Sequence, residues 1–218
     1  GMLLLGLLRA GDLEMACEYL DRWIESGADI TSIEDVLAGQ TLLELAENQH
    51  DKSQSAISIS DRRISVYTEC SDNMAKYLLS YECDEEGSLP YSIKAHNEHI
   101  YADSIGMICP FLMMYGIKNE QQKYINMALQ QINNFMKNAM DDKTGLPYHG
   151  YRYKGHEKYG IIGWGRAVGW LMMGIAGCLS LVNVSENNCD QINYGDKSFM
   201  TSISNMPQIS EIMEEYKR

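Results

Sequence analysis

The sequence predicts an all-α protein, a toroid or solenoid of sequential helix hairpins, and three observations predict it. Apolar residues recur three and four apart along most of the 218 residues. The segment SIGMICPFLMMYG, residues 104–116, is apolar on every side, as a helix packed against neighbours all round must be. Strand-like extension is confined to one short piece near Leu146 to Tyr153. About seven helices follow one another in a single domain over residues 2–218, with no fixed-period signature of a TPR, ankyrin or HEAT array.

Each element has its own warrant. The opening MLLLGLL lacks a basic leader region and runs straight into Arg9 and Asp12, so it reads as part of the fold and not as a signal peptide; Gly1 reads as an expression remnant. Asp12 can cap a helix carrying Leu13, Ala16, Leu20, Trp23 and Ile24, which stops at Ser26-Gly27. Residues 33–48 follow the Thr31-Ser32 cap, with Val36, Leu37, Leu43 and Ala46 on one face. Polar residues 51–60 read as a connector, 61–69 as a helix and Ser71 to Tyr81 as another, before Asp84-Glu85-Glu86-Gly87 breaks the pattern. Pro110 should kink the buried helix or mark its first turn. Glu120 to Met140 is the clearest amphipathic helix, with Ile125, Ala128, Leu129, Ile132, Phe135, Met136 and Ala139 in register. DDKTGLPYHGY is a turn, 166–182 an apolar helix, 183–204 a polar loop, and Pro207 can open a last helix through Tyr216.

Charge narrows the partners. A net charge of -12 opposes an electrostatic hold on nucleic acid or on an anionic membrane, so neither is expected as a partner. An anionic ligand needs a locally placed cation. The six cysteines are scattered, without a CxxC or other metal-ligand spacing, and read as core thiols of a reducing, cytoplasmic compartment. No metal site is expected.

Four places can carry chemistry. Asp103 leads a carboxylate directly into the buried helix, where it is either an N-cap or a reacting acid. Asp35, in TSIEDVLAG, stands near another helix start, where capping or a solvated face competes with function. His149 lies in a turn among Tyr148, Tyr151 and Tyr153, which suits a wet, aromatic-lined pocket as well as a backbone-bonded turn histidine. GWGRAVGW places Trp164, Arg166 and Trp170 on a glycine-loosened backbone in a chain with only 3 Trp. The indoles can be core, but Arg166 must then find a partner or reach solvent. Flat indoles beside a guanidinium fork would equally suit an acidic sugar.

These segments, in this order, resemble the unsaturated glucuronyl and rhamnogalacturonyl hydrolases, glycoside hydrolase families 88 and 105. EDVLAG is similar to the family's first acidic segment, YADSIGMICPFLMMYG to the one bearing its catalytic aspartate, TGLPYHGY to its histidine turn and GWGRAVGW to its tryptophan-arginine signature. The resemblance implies an (α/α)6 barrel and hydrolysis of unsaturated uronyl oligosaccharides through hydration of the C4–C5 enol ether, without metal or organic cofactor. It implies Asp103 as general acid and base, Asp35 as assisting carboxylate, and His149, Trp164, Arg166 and Trp170 around the uronyl ring. That chemistry asks Asp103 to carry a proton when substrate is bound, which apolar surroundings favour and a helix N-terminus opposes. The family's barrel has twelve helices against about seven here, so an incomplete barrel is expected. It would be completed by a homodimer covering an exposed helical flank, or be an inactive sugar-binding homologue.

Overall fold

A computed structural model describes residues 1–47, 59–92, 98–187 and Glu214. The predicted connector, apart from Ile59 and Ser60, and the predicted last helix, apart from Glu214, lie outside the described residues, as does Cys189. Among those described there are seven α-helices and one small sheet, and they group into two compact units, residues 1–80 and 81–218.

In the first unit, α1 (Met2–Ala10) buries Leu4 and Leu8 and ends on Gly11, whose φ of 78° is the left-handed conformation that glycine enters without strain. α2 (Leu13–Glu25) is capped as its sequence predicts: the Met15 amide donates to Asp12 Oδ1 at 3.2 Å. The pattern over 33–48 divides into a 3-10 turn, Asp35–Leu37, and α3 (Ala38–Glu47), so helical hydrogen bonding of the α type begins later than the periodicity. Arg9 grips Glu44 with both terminal nitrogens at 2.7 Å, tying α1 to α3. The two helices predicted over 61–81 are one, α4 (Asp61–Leu79). No breaker separates them, and the Ser71 hydroxyl donates to the Tyr67 carbonyl at 2.8 Å instead of interrupting the ladder.

The second unit is built around α5 (Ala102–Lys118), buried along nearly its whole length with Pro110 inside it. α6 (Gln122–Ala139) returns against it as the amphipathic partner, and Gly116 leaves room for Ile125 at the hairpin. α7 (Gly165–Asn187) packs along α5, and it carries residues 183–187 that the sequence assigns to a loop. Gly106 lies against Trp170 and Pro110 against Gly177, so the contacts advance together and the two helices run the same way with their N-termini at one end. Residues 165–182 of α7 are long and apolar enough to cross a membrane by length and composition; one side of the helix is core, while Met172 and Met173 are exposed.

The extended piece near 146–153 contains β2 (Gly150–Arg152), the central strand of a three-stranded antiparallel sheet whose other strands, β1 (His99–Tyr101) and β3 (Lys158–Tyr159), the sequence reading did not include. Tyr101, Gly150 and Tyr159 form one row across it. A Cβ on Gly150 would stand 2.1 Å from the Ile100 carbonyl oxygen, so only glycine lets the strands close here.

The acidic break at 84–87 is a turn held by one face of α6. Gln130 and Asn134 donate to the Glu86 carbonyl at 2.7 and 2.9 Å, Gln131 brackets Gly87 and Leu89, and Asn138 and Lys137 take the Glu86 carboxylate. Inside the turn, Asp84 accepts the Glu86 and Ser88 amides at 2.9 and 2.7 Å and meets His156 Nε2 at 3.2 Å.

Candidate active site

Asp103, His149, Trp164 and Arg166 converge at the shared N-terminal end of α5 and α7. Asp103 is not the N-cap of α5. That position belongs to Tyr101, whose side chain makes no cap bond, and Asp103 sits inside the first turn with its side chain 10% exposed. Its carboxylate turns to two partners: His149 Nε2 lies 3.2 Å from Oδ2, and Arg166 Nε lies 3.5 Å from Oδ1. The N-cap reading of this acid is thereby set aside.

His149 is fixed by the sheet's edge. It immediately precedes β2, and its carbonyl accepts the Ala102 amide at 3.0 Å, which locks the turn to the first residue of α5. Its imidazole stacks on Tyr101 (4.3 Å between ring centres) and meets Trp164 edge-on at 4.5 Å. Burial lowers its pKa below the ordinary histidine value; the Asp103 carboxylate works against that, and Arg166 works with it. A neutral imidazole is therefore favoured, able to donate from Nε2 to the carboxylate or to accept its proton.

Arg166 occupies a position that local propensity opposes. A cation in the first turn of a helix faces the positive end of the dipole, at a cost of about 0.3–1 kcal/mol, and the first turn of α7 has no acid to offset it. Two contacts hold it there: the Asp103 carboxylate, and the face of Trp164, with the guanidinium carbon 4.0 Å from the ring centre. With 57% of its side chain exposed, the fork reaches from this seat toward solvent.

Trp170 stands one turn further along α7, half-buried, its ring and carbonyl against Gly106 of α5. Asp35 belongs to the first unit. There its Oδ2 accepts the Thr31 and Ser32 amides at 2.8 and 3.0 Å and the two hydroxyls at 3.2 and 3.4 Å, closing the turn that leads into the 3-10 segment.

The aromatic surroundings of His149 differ from those the sequence suggests. Tyr151 alternates into the core, fully buried against Phe135, and Tyr153 bonds the Cys83 carbonyl at 2.7 Å. Tyr101, His99 and Tyr159 take their place: His99 lies parallel to Tyr101 at 5.6 Å and tilted on Tyr159 at 4.0 Å. The signal for them was the i, i+2 pair of rings just before Asp103, legible only once 99–101 is known to be a strand. Among the described residues, no three His, Cys, Asp or Glu side chains are grouped to hold a metal ion.

Comparison with known proteins shows the family and the fold. Residues 12–210 match the family described as Glycosyl Hydrolase Family 88. The chain is 29% identical over 173 residues to the unsaturated rhamnogalacturonyl hydrolase YesR of Bacillus subtilis (strain 168), covering 77% of this chain and 46% of that protein. A structure titled a possible member of the GH105 family, from Salmonella enterica, superposes with a TM-score of 0.63 at 20% identity, over 94% of this chain and 50% of the other. The family 105 glycoside hydrolase of C. acetobutylicum gives a TM-score of 0.60 at 18% identity, over 99% and 59%. At these identities the structures show the fold: an all-α chain of the (α/α)6-toroid class, about half as long as the proteins it matches.

Proposed function

Because the chain belongs to glycosyl hydrolase family 88, we propose that it removes a Δ4,5-unsaturated uronyl residue from an oligosaccharide by hydrating the C4–C5 enol ether. The observation that carries this reading is the contact of Asp103 with both His149 and Arg166 at the start of two parallel helices. Asp103 delivers a proton to C4, and water adds its hydroxyl at C5 while returning a proton to the carboxylate. The hemiketal so formed opens and releases the sugar that was linked to it. His149, kept neutral by burial, holds Asp103 in place and can share its proton. Arg166 binds the substrate carboxylate with its exposed fork, and Trp164 and Trp170 flank the uronyl ring. YesR, by its name, supports a rhamnogalacturonan-type substrate within this class.

No cofactor takes part in this proposal, and the cytoplasm is its proposed compartment. A second copy covering the outward face of α7 is the proposed partner.

The test is the ultraviolet absorbance of the conjugated enol ether, followed with unsaturated uronyl disaccharides of the pectin and glycosaminoglycan types. Loss of the signal with wild type and not with Asp103→Asn supports the hydrolase. A sugar-binding homologue without turnover would instead give a folded protein that binds these disaccharides and leaves their absorbance unchanged.

A further inference from the structure

Residues 159–163 have no part in the chemistry above, yet this strap touches His149 at Gly160 and is followed directly by Trp164, which touches it again. Gly160, at φ 88°, approaches so closely that a Cβ there would stand 2.6 Å from the His149 Cβ, while Trp164 meets the same imidazole edge-on at 4.5 Å. The chain between them must arch beside the imidazole, with Ile161 and Ile162 on the arch. Its foot is anchored: the Gly163 amide donates to the Pro147 carbonyl at 2.8 Å, and Gly163, at φ 67°, passes against Leu146. Tyr159, before the arch, is fixed against His99 and Tyr101 at 4.0 and 6.1 Å.

A strap tied down in this way would be expected to fold its apolar side chains inward. It does the reverse: Tyr159 is 41%, Ile161 73% and Ile162 39% exposed, next to Trp164 at 36%. Scattered apolar residues on a surface need no explanation, but these are neighbours in sequence on a segment anchored against His149, the partner of Asp103. Their side chains carry no charge, so they offer a dry platform of the kind that the C–H face of a pyranose ring covers.

We infer that the strap is the platform for the sugar attached to the uronyl residue, with Tyr159 and Ile161 as specificity-determining residues that contact its apolar face. This rests on the hydrolase reading. Tyr159 and Ile161 are separate from the Asp103, His149 and Arg166 cluster, and the inference assigns them to the leaving sugar and not to the enol ether.

The test compares two substrates with the same unsaturated uronyl group, one bearing a full sugar and one bearing only a methyl group. In Ile161→Ser and Tyr159→Ala, kcat/KM on the disaccharide should fall about tenfold further than on the methyl glycoside, mainly through KM. Equal losses on both substrates overturn the inference. Ile161→Ser decides the matter if Tyr159→Ala folds poorly, because a side chain 73% exposed contributes little to the core. Wild-type protein that turns over neither substrate would sink the hydrolase reading first and this inference with it, an outcome distinct from active enzyme with an unchanged ratio.

Discussion

Asp103 and Arg166, each in the first turn of its own helix, meet at 3.5 Å because α5 and α7 run in the same direction and begin side by side. Two positive helix ends thus point at one place, which favours an anion there, whether the Asp103 carboxylate or that of a substrate.

Asp103→Asn keeps the shape of the side chain and removes its acid. Turnover of unsaturated uronyl disaccharides should drop by about a thousandfold, in the range that a lost general acid accounts for, while the melting temperature moves by only a few degrees. A large fall in melting temperature with turnover intact would show the residue to be structural, and paired absorbance and melting experiments read both quantities.

Arg166→Lys replaces a planar fork, stacked on Trp164 at 4.0 Å, with a point charge. KM should rise about ten- to a hundredfold with a smaller change in kcat, as expected when bidentate binding of a carboxylate is lost. Steady-state kinetics on the better disaccharide measures the split.

Two glycines on neighbouring helices should respond with opposite signs. A Cβ on Gly106 would stand 2.5 Å from the Trp170 ring and 2.6 Å from its carbonyl oxygen, so Gly106→Ala forces α5 and α7 apart and should destabilise by about 1–3 kcal/mol. Gly169 of α7 has open space around its Cβ position, and Gly169→Ala should stabilise by about 0.5–1 kcal/mol through the entropy of the unfolded chain. Denaturant titrations of both variants decide between these.

Acid should weaken the fold through His149 and His99, both lowered from 6.5 chiefly by burial. A group with a depressed folded pKa leaves the folded state with fewer protons than the unfolded chain as pH falls below 6.5. Stability contributed by the neutral rings is therefore complete above that pH and is lost on descending toward the folded values, with a slope of up to about 1.4 kcal/mol per pH unit for each proton. Melting temperatures between pH 7.5 and 5 should fall, and His149→Gln should flatten the curve.

The outward side of α7 exposes Met172 by 50% and Met173 by 40%. If a second copy covers this face, light scattering at micromolar concentration should report a dimer, and Met172→Glu with Met173→Glu should give a monomer. A wild-type monomer would remove the proposal.

Most helices were legible because their signals are local: the Asp12 cap, the amphipathic run of α6, and the unbroken apolarity of α5. GWGRAVGW was legible for another reason, since an arginine between two indoles needs a partner. The site residues could be named individually, but not assembled, because whether Asp103 caps its helix or faces His149 depends on Tyr101 already holding the N-cap position. Of the sheet, only the piece holding β2 was legible; β1 and β3 escaped because strands of two and three residues carry too little alternation to register. The clamp between α6 and the 84–89 turn escaped because a stripe of Gln and Asn on a helix reads as a solvated face.

That clamp makes an acidic, glycine-containing surface turn a poor substrate for proteases. Cleavage needs an extended segment threaded through the protease's groove, and here the backbone between Glu86 and Leu89 is fastened to Gln130, Gln131 and Asn134 at 2.7 to 2.9 Å. A protease specific for acidic residues would have to peel the turn from α6 before it could cut after Glu85 or Glu86. The susceptibility of these bonds therefore reports how often this turn lifts from its helix, a local opening that the melting temperature of the whole chain does not register.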